Sequence, residues 1–229
     1  METLTAMKLS KNTTNILKNF STINSNILVE PGNVIKTISP VKNVMAQATV
    51  SETFDCQFGI WDLNKLLGTI SLFDDPEFYF EDNHVTIVGS NGTKVTYYYS
   101  EPKLLTTINK TITMPETVVS FELKNDDFLE LQKAASVLQL PDLCLRSSGT
   151  AIELVALDKK DSTSNNYSVE VGINHDDDDF EFYFKVENLK LLPGDYDVEV
   201  TEKVVSKFTN QDTSLCYWIA LESDSRYEK

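Results

Sequence analysis

Apolar and polar residues alternate over many short runs of this chain, which is the pattern of β-strands that bury one face. Asn91 and Gly92 lie between two such runs, where an Asn-Gly pair indicates a tight hairpin turn. In the first half the pattern predicts strands at residues 27–30, 34–38, 44–50, 54–60, 69–73, 85–88 and 94–99. In the second half it predicts strands at residues 143–146, 152–157, 167–173, 180–185, 196–201 and 215–221.

Near the N-terminus the apolar residues follow the helical period instead. Ser10 is the predicted N-cap, because its hydroxyl can accept from a free N–H of the first turn. The predicted core face comprises Ile16, Leu17, Phe20 and Ile23. Lys11 and Lys18 are seven positions apart, so they share a stripe on the opposite, solvated face.

A second helical segment begins at Asn125 or Asp126, either of which is a suitable N-cap. Its predicted core face comprises Phe128, Leu131, Ala135 and Leu138. Lys133 and Ser136 lie on the solvated side, and Glu130 is an acidic exception near them. This helix, like the first, therefore presents lysine to solvent.

The chain also repeats itself. Residues 54–68, FDCQFGIWDLNKLLG, match residues 180–194, FEFYFKVENLKLLPG, at several positions without a gap. An upstream echo relates ILKNFSTINSNILV at 16–29 to LQKAASVLQLPDLCL at 131–145. A duplicated pattern predicts duplicated structure, and it favours a symmetric or ring-like object over a single catalytic cleft.

Each copy of the first repeat runs from a strand into a short helical turn that is closed by glycine. These turns add Lys65 and Lys190 beside apolar leucines, one position out of step between the copies. The duplication predicts two similar domains at residues 1–102 and 118–229. Residues 103–117 show no firm period and form the predicted interdomain connector.

Composition places the chain among soluble proteins. Of 229 residues 41% are hydrophobic, which is enough for a core in each half. No run approaches the roughly 20 apolar residues of a membrane span. Residues 1–6 contain no apolar signal region, and we expect them to be a disordered extension. Cys56, Cys144 and Cys216 have neither metal-site nor disulfide spacing, so we expect buried, small hydrophobic side chains.

The net charge of −15, from 35 acidic and 20 basic residues, taken alone argues against nucleic-acid binding. The distribution of charge matters more than the sum, because lysines recur on helices while acids concentrate in loops. Arg146 and Arg226 are the only arginines, so arginine–guanine readout is scarce. Any nucleic-acid contact is therefore expected to join lysine to phosphate without regard to sequence.

Four stretches then resemble the DNA polymerase sliding clamps of T-even-type bacteriophages. They are MKLSKNTTNILKNFSTINSNI (7–27), DLNKLLGTISLFDD (62–75), LPGDYDV (192–198) and YWIALESDS (217–225). The opening stretch is the most specific, and the resemblance extends from Met7 to the C-terminus. It implies an α+β DNA-clamp fold of two similar domains, each with antiparallel β-sheets outside and two helices on the inner face.

The resemblance also implies a function and partners. Three copies would form a homotrimeric ring that encircles double-stranded DNA and tethers the replicative DNA polymerase for processive synthesis. An ATP-driven clamp loader would open and close this ring in the host cell cytoplasm, and late-transcription factors are further implied partners. The clamp itself would be no enzyme and would need no cofactor or metal.

Site residues follow from the same resemblance. The DNA-facing residues, making sequence-independent phosphate contacts, would be Lys11, Lys18, Lys65, Lys133 and Lys190. A pocket for a partner's short C-terminal peptide would involve Leu104, Leu105, Ile108 and Trp218, which equally fit plain core positions.

Other functions fit less well. His84 and His175 are the only histidines, and neither has a neighbouring nucleophile, so an enzyme is not expected. The acidic run at residues 176–179 is interpreted as a solvated turn rather than a cation site, because consecutive side chains diverge. The main alternative is a β-rich virion or scaffold protein that does not bind DNA. A clamp predicts the five lysines on one concave surface, whereas a scaffold predicts them scattered.

Overall fold

The computed structural model describes residues 6–108, 113–175, 178–202 and 204–229. The chain divides into two compact units, Met1–Thr111 and Ile112–Lys229. Their boundary falls within residues 103–117, the predicted connector, of which residues 109–112 lie outside the described residues. The predicted disordered extension at residues 1–6 also lies outside them, apart from its last residue.

The first unit combines two helices with antiparallel strands. Its helices are α1 (Lys11–Ile23) and α2 (Leu63–Ile70). Its strands are β1 (Ile27–Val29), β2 (Gly32–Ile38), β3 (Val44–Phe54), β4 (Phe58–Ile60), β5 (Glu77–Phe80), β6 (His84–Val88) and β7 (Lys94–Tyr98). Strand β2 pairs with β3, β1 pairs with β4, and β6 lies between β5 and β7.

The core of the first unit lies under α1, which packs against β2, β3 and α2. Its apolar stripe is buried as predicted: Ile16, Leu17, Phe20 and Ile23 are all at most 7% exposed. Below it, Phe58 contacts Phe54 and Phe80, with ring centroids 5.4 and 4.9 Å apart. Burial of this stripe stabilises the helix and fixes which of its faces meets water.

The second unit contains one α-helix, α3 (Asn125–Leu138), within its described residues. Its strands are β8 (Thr117–Leu123), β9 (Asp142–Ser148), β10 (Ala151–Leu157), β11 (Tyr167–Ile173), β12 (Asp179–Lys185), β13 (Tyr196–Thr201), β14 (Val205–Asn210), β15 (Leu215–Ala220) and β16 (Arg226–Glu228). One sheet has the order β11-β10-β9-β12-β16, and β15, β14, β13 and β8 are neighbours in that order in another. Helix α3 packs against β10 and β11.

Most predicted strands are present, and two predictions are wrong. Residues 54–60 do not form one strand, because β3 ends at Phe54 and β4 begins at Phe58 after a turn. Residues 69–73 are not a strand either, since α2 runs to Ile70 and a turn follows. A short apolar run with β-branched residues cannot be assigned by its period alone.

The pattern misses β5, β8, β14 and β16. Strand β14 shows why, because its buried face carries Ser206 at 0% and Asn210 at 7% exposure. The hydroxyl of Ser206 donates to the Ile219 carbonyl at 2.9 Å, so a polar side chain occupies a core position without an unsatisfied group. Hydrophobic alternation is therefore absent from a strand that is half buried.

The two repeat copies end differently. In the first copy Asp62 caps α2, its carboxylate accepting from the Lys65 N–H at 2.9 Å. In the second copy only a 3-10 turn forms, Val186–Asn188. Pro193 explains the difference, because it lacks an N–H and disfavours helical backbone in the residue before it.

The ends of α3 also differ from prediction. Lys124 is the N-cap residue, and its side chain does not cap. Instead Asp195 accepts from the Asn125 N–H at 2.8 Å, so a carboxylate from a distant loop satisfies the helix end. At the other end Leu138 is 37% exposed rather than buried. Gln139 has left-handed backbone, which ends the helix. Leu140, rather than Leu138, is the residue that is buried in the core.

Helix α1 is anchored in the same manner. Ser10 caps it as predicted, accepting from the Thr13 N–H at 3.1 Å. Glu52 of β3 in turn accepts from the Ser10 N–H and the Thr13 hydroxyl, and it is only 8% exposed. In each unit, therefore, a carboxylate from elsewhere in the chain accepts hydrogen bonds at the start of the long helix. Its negative charge also interacts favourably with the positive end of the helix dipole.

The repeat glycines provide a matched pair for a stability test. Gly68 lies inside α2, where an added Cβ meets nothing within 4 Å. Gly194 has φ +147°, and an added Cβ would lie 2.5 Å from Asn210 Nδ2. We expect Gly68→Ala to stabilise the protein by about 0.5–1 kcal/mol, because alanine favours helix and restricts the unfolded chain. Gly194→Ala should destabilise it by more than about 1 kcal/mol. Denaturant unfolding measures both, and equal effects of the two variants would contradict this account.

Glu52 predicts a pH dependence. Burial raises the pKa of this carboxyl, but hydrogen bonds from Ser10 and Thr13 outweigh it and hold the pKa below its ordinary value of 4.5. A carboxylate whose pKa is lowered by folding stabilises the fold above the unfolded pKa, and this contribution is lost as the pH falls through the folded pKa.

We expect Glu52→Gln to lower the unfolding free energy at neutral pH by about 1–3 kcal/mol. The deficit should shrink as the pH falls below the ordinary carboxyl range, because the wild type then loses the same charge. Thermal unfolding across an acidic pH series measures this. Glu30→Gln, at an exposed carboxylate, is the control, and a deficit for Glu52→Gln that does not change with pH would refute the assignment.

Candidate DNA-facing surface and partner groove

The outward face of α1 is set by its buried face. Because the apolar stripe packs inward, Lys11 and Lys18 are exposed to solvent, as predicted. Asn12 and Asn15 are exposed beside them. The sequence of α1, KNTTNILKNFSTI, contains no acidic residue. This helix therefore presents positive charge and neutral amides only.

Helix α2 adds a further cation next to α1. Its buried residues are Leu63 and Leu66, and Lys65 lies between them on the exposed side. The two helices contact each other, so the first unit has a two-helix surface that bears three lysines. We call this surface, formed by the exposed sides of α1 and α2, the α1–α2 face.

The second unit places its two predicted lysines near each other. Lys133 is exposed on α3, and Lys190 is exposed just after the 3-10 turn. The side-chain amide of Gln132 donates to the Leu189 carbonyl at 3.3 Å, which joins that turn to α3. The structure thus groups Lys11, Lys18 and Lys65 on one unit and Lys133 with Lys190 on the other.

Ion pairing distinguishes the helix lysines from many of the other lysines, although Lys36, Lys42, Lys94 and Lys160 also form no ion pair within the described part of the chain. Among the described residues, Lys11, Lys18, Lys65 and Lys133 form no ion pair. Lysines elsewhere commonly have acidic partners: Lys8–Asp75, Lys103–Glu101, Lys124–Glu122, Lys159–Asp224, Lys185–Asp142 and Lys207–Glu199. A cation without a local counterion keeps its charge available for a phosphate.

Both arginines form ion pairs with carboxylates. Arg146 lies 3.0 Å from Glu153, and Arg226 lies 2.7 Å from Asp179. The Arg226 guanidinium holds the pKa of the Asp179 carboxyl below its usual range. Both guanidinium groups therefore contribute to the sheet of the second unit, which is consistent with an absence of base readout.

The predicted partner-pocket residues have different environments. Leu105 is 9% exposed and packs so closely against Gly59 that an added Cβ there would lie 2.6 Å from its Cδ1, so it is a core residue. Leu104 is 57% exposed. Ile108 lines a cavity of the first unit, and Trp218 is half-buried on β15 of the second unit.

This cavity has a volume of about 240 Å³ and lies between β1, β2 and the start of the connector. Its apolar lining comprises Leu28, Pro31, Val34, Ile38 and Ile108. Glu30 and Lys36 supply opposite charges, and Thr37 is 4% exposed with a hydroxyl that has no partner among the described residues. We call this cavity the connector groove. The strand pattern of β2 gave no sign of it, because alternate residues that face a groove look the same as residues that face water.

The remaining reactive groups have structural roles. Burial raises the pKa of the Cys144 thiol to about 12, which keeps it protonated. The His84 ring contacts Asn83 and Glu81 at 2.7 and 2.9 Å. Within the described part of the chain no group of His, Cys, Asp and Glu could hold a metal ion. Likewise, the helices that the structure describes include none long and apolar enough to cross a membrane.

Of the acidic run at residues 176–179, residues 176–177 lie outside the described residues. Asp178 accepts from the Tyr227 hydroxyl, and Asp179 pairs with Arg226. These two carboxylates therefore hold the C-terminal strand β16 against β12.

Comparison with known proteins gives consistent results over the whole chain. A family model described as the DNA polymerase processivity factor matches residues 8–114, and one described as the gp45 sliding clamp, C terminal, matches residues 120–223. The sliding clamp of Vibrio phage KVP40 is 32% identical over 222 residues, covering 95% of this chain and 100% of the relative. That of Enterobacteria phage T4 is 32% identical over 230 residues, covering 97% and 100%.

Solved structures show the same fold at low identity. A. fulgidus PCNA, determined with the C-terminal region of FEN-1, superposes with a TM-score of 0.71 at 13% identity, covering 96% of this chain and 98% of that chain. The Helicobacter pylori beta clamp, determined with a DNA ligase peptide, gives a TM-score of 0.70 at 13% identity, covering 97% and 67%. The predicted α+β clamp fold is thereby confirmed.

Proposed function

Because the chain belongs to the sliding-clamp family of DNA polymerase processivity factors, we propose that three copies close into a ring around duplex DNA and hold the replicative polymerase on its template. One observation carries the proposal for this chain. The exposed helix lysines at positions 11, 18, 65 and 133 have no ion-pair partner among the described residues, whereas many lysines elsewhere are paired with acids.

Lysine suits a sliding contact. Its ammonium group is a flexible point charge that can exchange one phosphate for the next. Weak contacts that break and re-form permit movement, whereas base-specific contacts would stall the ring. The whole copy has a net charge of −15 with these lysines included, so its other surfaces are acidic and repel DNA. The five lysines are proposed to line the opening.

For ring closure we propose that β7 of one copy pairs with β11 of the next. Both are edge strands of their sheets, and Tyr98 and Ile173 on them are 69% and 60% exposed. An open edge presents unpaired N–H and C=O groups that a second strand can satisfy. Antiparallel extension of one sheet by another would join the copies in a closed, head-to-tail arrangement.

The ladder between β6 and β7 shows which backbone N–H groups of β7 face the open edge. Gly89 N–H donates to the Thr93 carbonyl at 2.8 Å, and Tyr99 N–H donates to the Asn83 carbonyl at 3.0 Å. Because bonded and non-bonded pairs alternate along an antiparallel ladder, the N–H of Thr96 points away from β6 and toward the open edge.

The connector groove is the proposed site for a short apolar peptide from the polymerase. Ile108 lines it, and Leu104 and Leu105, which do not line it, precede the lining residue Thr106 in the sequence. Trp218, in the second unit, stays a proposed residue for partner binding. The clamp loader and late-transcription factors are proposed to use this groove in turn, in the cytoplasm of the infected host. The clamp is proposed to act without catalytic chemistry of its own.

Ring closure is tested by processivity and mass. We expect the wild type to have a mass close to three times 25.9 kDa and to support processive synthesis on circular primed DNA after loading. Linear DNA should abolish retention, because a ring slides off an end.

Thr96→Pro should yield folded monomers without processivity, since proline removes the outward N–H and is tolerated on an edge strand. Thr96→Ser is the control. Retention that ignores DNA ends would refute the ring, and a trimeric Thr96→Pro variant would refute this interface.

The groove is tested with a charge substitution. Ile38→Glu places a carboxylate among apolar residues, and we expect at least tenfold weaker polymerase binding, or about 1.4 kcal/mol. Thr53→Glu, at an exposed position of β3, is the matched control. Surface plasmon resonance with immobilised polymerase measures both variants, and light scattering verifies that they stay trimeric. Unchanged binding by Ile38→Glu would exclude the groove.

A further inference from the structure

The two units differ in the charge of their helices. Helix α1 carries Lys11 and Lys18 without an acid, and α2 carries Lys65 without an acid. The α1–α2 face therefore has three positive charges, or two when Asp62, the cap of α2, is included. Helix α3 carries Lys133 with the acids Asp126, Asp127 and Glu130, so one positive and three negative charges leave a net of −2.

The neighbouring turn does not change this balance. Lys190 adds one positive charge beside α3, and Glu187 in the 3-10 turn removes it. The exposed side of α3 is also partly apolar, since Leu129 is 47% and Val137 is 72% exposed. Neither side chain can donate a hydrogen bond to a phosphate.

From this difference we infer that the α1–α2 face is the phosphate-contacting surface of each copy, and that α3 contributes no net attraction. The inference rests on the proposed function and goes beyond it, because it assigns different weights to the lysines of the two units. A ring of three copies would then hold DNA by three separated basic faces rather than by a continuous basic lining.

The geometry of α1 supports this assignment. Lys11 and Lys18 are seven residues apart, which is about 10 Å along a helix. Two ammonium groups at this separation can contact different phosphates of one duplex. Asn12 and Asn15 are exposed between and beside them, and amide groups donate to phosphate oxygens without adding charge.

The acids of α3 have a partial structural explanation. Asp126 and Asp127 lie in the first turn, where negative charge favours the helix dipole. Glu130 accepts from the Tyr167 hydroxyl at 2.9 Å, which ties α3 to β11. These roles require carboxylates near the lysine of α3, so the stability of the second unit opposes phosphate binding there.

Two matched double variants test the inference. Lys18→Gln with Lys65→Gln, and Lys133→Gln with Lys190→Gln, each remove two positive charges per copy. Binding of the intact ring to a blunt duplex of about 30 bp, roughly three helical turns, is measured by fluorescence anisotropy over a salt series. No loader is needed, because the ring can thread over an open end.

We expect the first pair to weaken binding at least tenfold at low salt and to reduce the salt dependence. The second pair should weaken binding several-fold less than the first, because phosphates are held away from a helix of net negative charge. Asp126→Asn with Glu130→Gln should tighten binding, because it removes repulsion while the amide oxygen still accepts from Tyr167. Equal losses from the two lysine pairs, or no gain from the acid variant, would overturn the inference.

Failure of this inference is distinguishable from failure of the proposed function. Retention of the wild type on circular DNA and its loss on linear DNA test only the ring. If retention depends on DNA topology but the two lysine pairs weaken binding equally, the proposed ring is supported and the inferred difference between the two units is refuted. Circular dichroism and light scattering confirm that each variant remains a folded trimer.

Discussion

The burial of one stripe of α1 governs the chemistry of the first unit. Phe20 is fully buried, and Ile16, Leu17 and Ile23 pack with it against the strands beneath. A helix has no freedom to rotate once such a stripe is enclosed, because turning it would expose the apolar side chains and bury charged ones. The outward direction of Lys11 and Lys18 is thus a consequence of core packing, and neither ammonium group has an ion-pair partner in the part of the chain that the structure describes.

Carboxylates at the helix starts complete that constraint. Glu52 and Asp195 come from β3 and from the loop before β13, far along the chain from the helices they anchor. Packing fixes the rotation of each helix, and the anchor fixes its position along the axis. Because these acids are consumed at backbone N–H groups, they do not neutralise the lysines one or two turns further on. In the first unit the anchoring carboxylate therefore leaves the lysines of α1 without a neighbouring acid on that helix, whereas α3 carries acids of its own beside Lys133.

The sequence predicts the parts of this structure that depend on local pattern. The period of α1, its Ser10 cap and its lysine stripe are all confirmed, and β11 and β13 have the predicted bounds. The repeated segments both follow a strand, although the second copy, which contains Pro193, forms no α-helix at residues 189–196, the positions that correspond to α2. The resemblance identified the family and the fold, which local pattern could not do.

The remainder depends on contacts that sequence order does not reveal. The anchor at Asp195 acts across a separation that no local rule spans, and β14 hides its buried face behind Ser206 and Asn210. The connector groove arises where β1 and β2 meet the start of the connector, so its lining comes from separate segments. The imbalance between the units was readable from the acids of α3, but it acquires meaning only when exposure and ion pairing are known.

The ion pairs of the two guanidinium groups have a consequence for sliding along DNA. Arg146 and Arg226 are both held by carboxylates of the second unit's sheet, so the side chains best suited to grip guanine are engaged elsewhere. The cations left to contact the duplex are lysine ammonium groups. Their attraction to phosphates differs little between GC-rich and AT-rich DNA. A ring built from this chain would therefore encounter a nearly level energy surface, with no base composition at which it pauses.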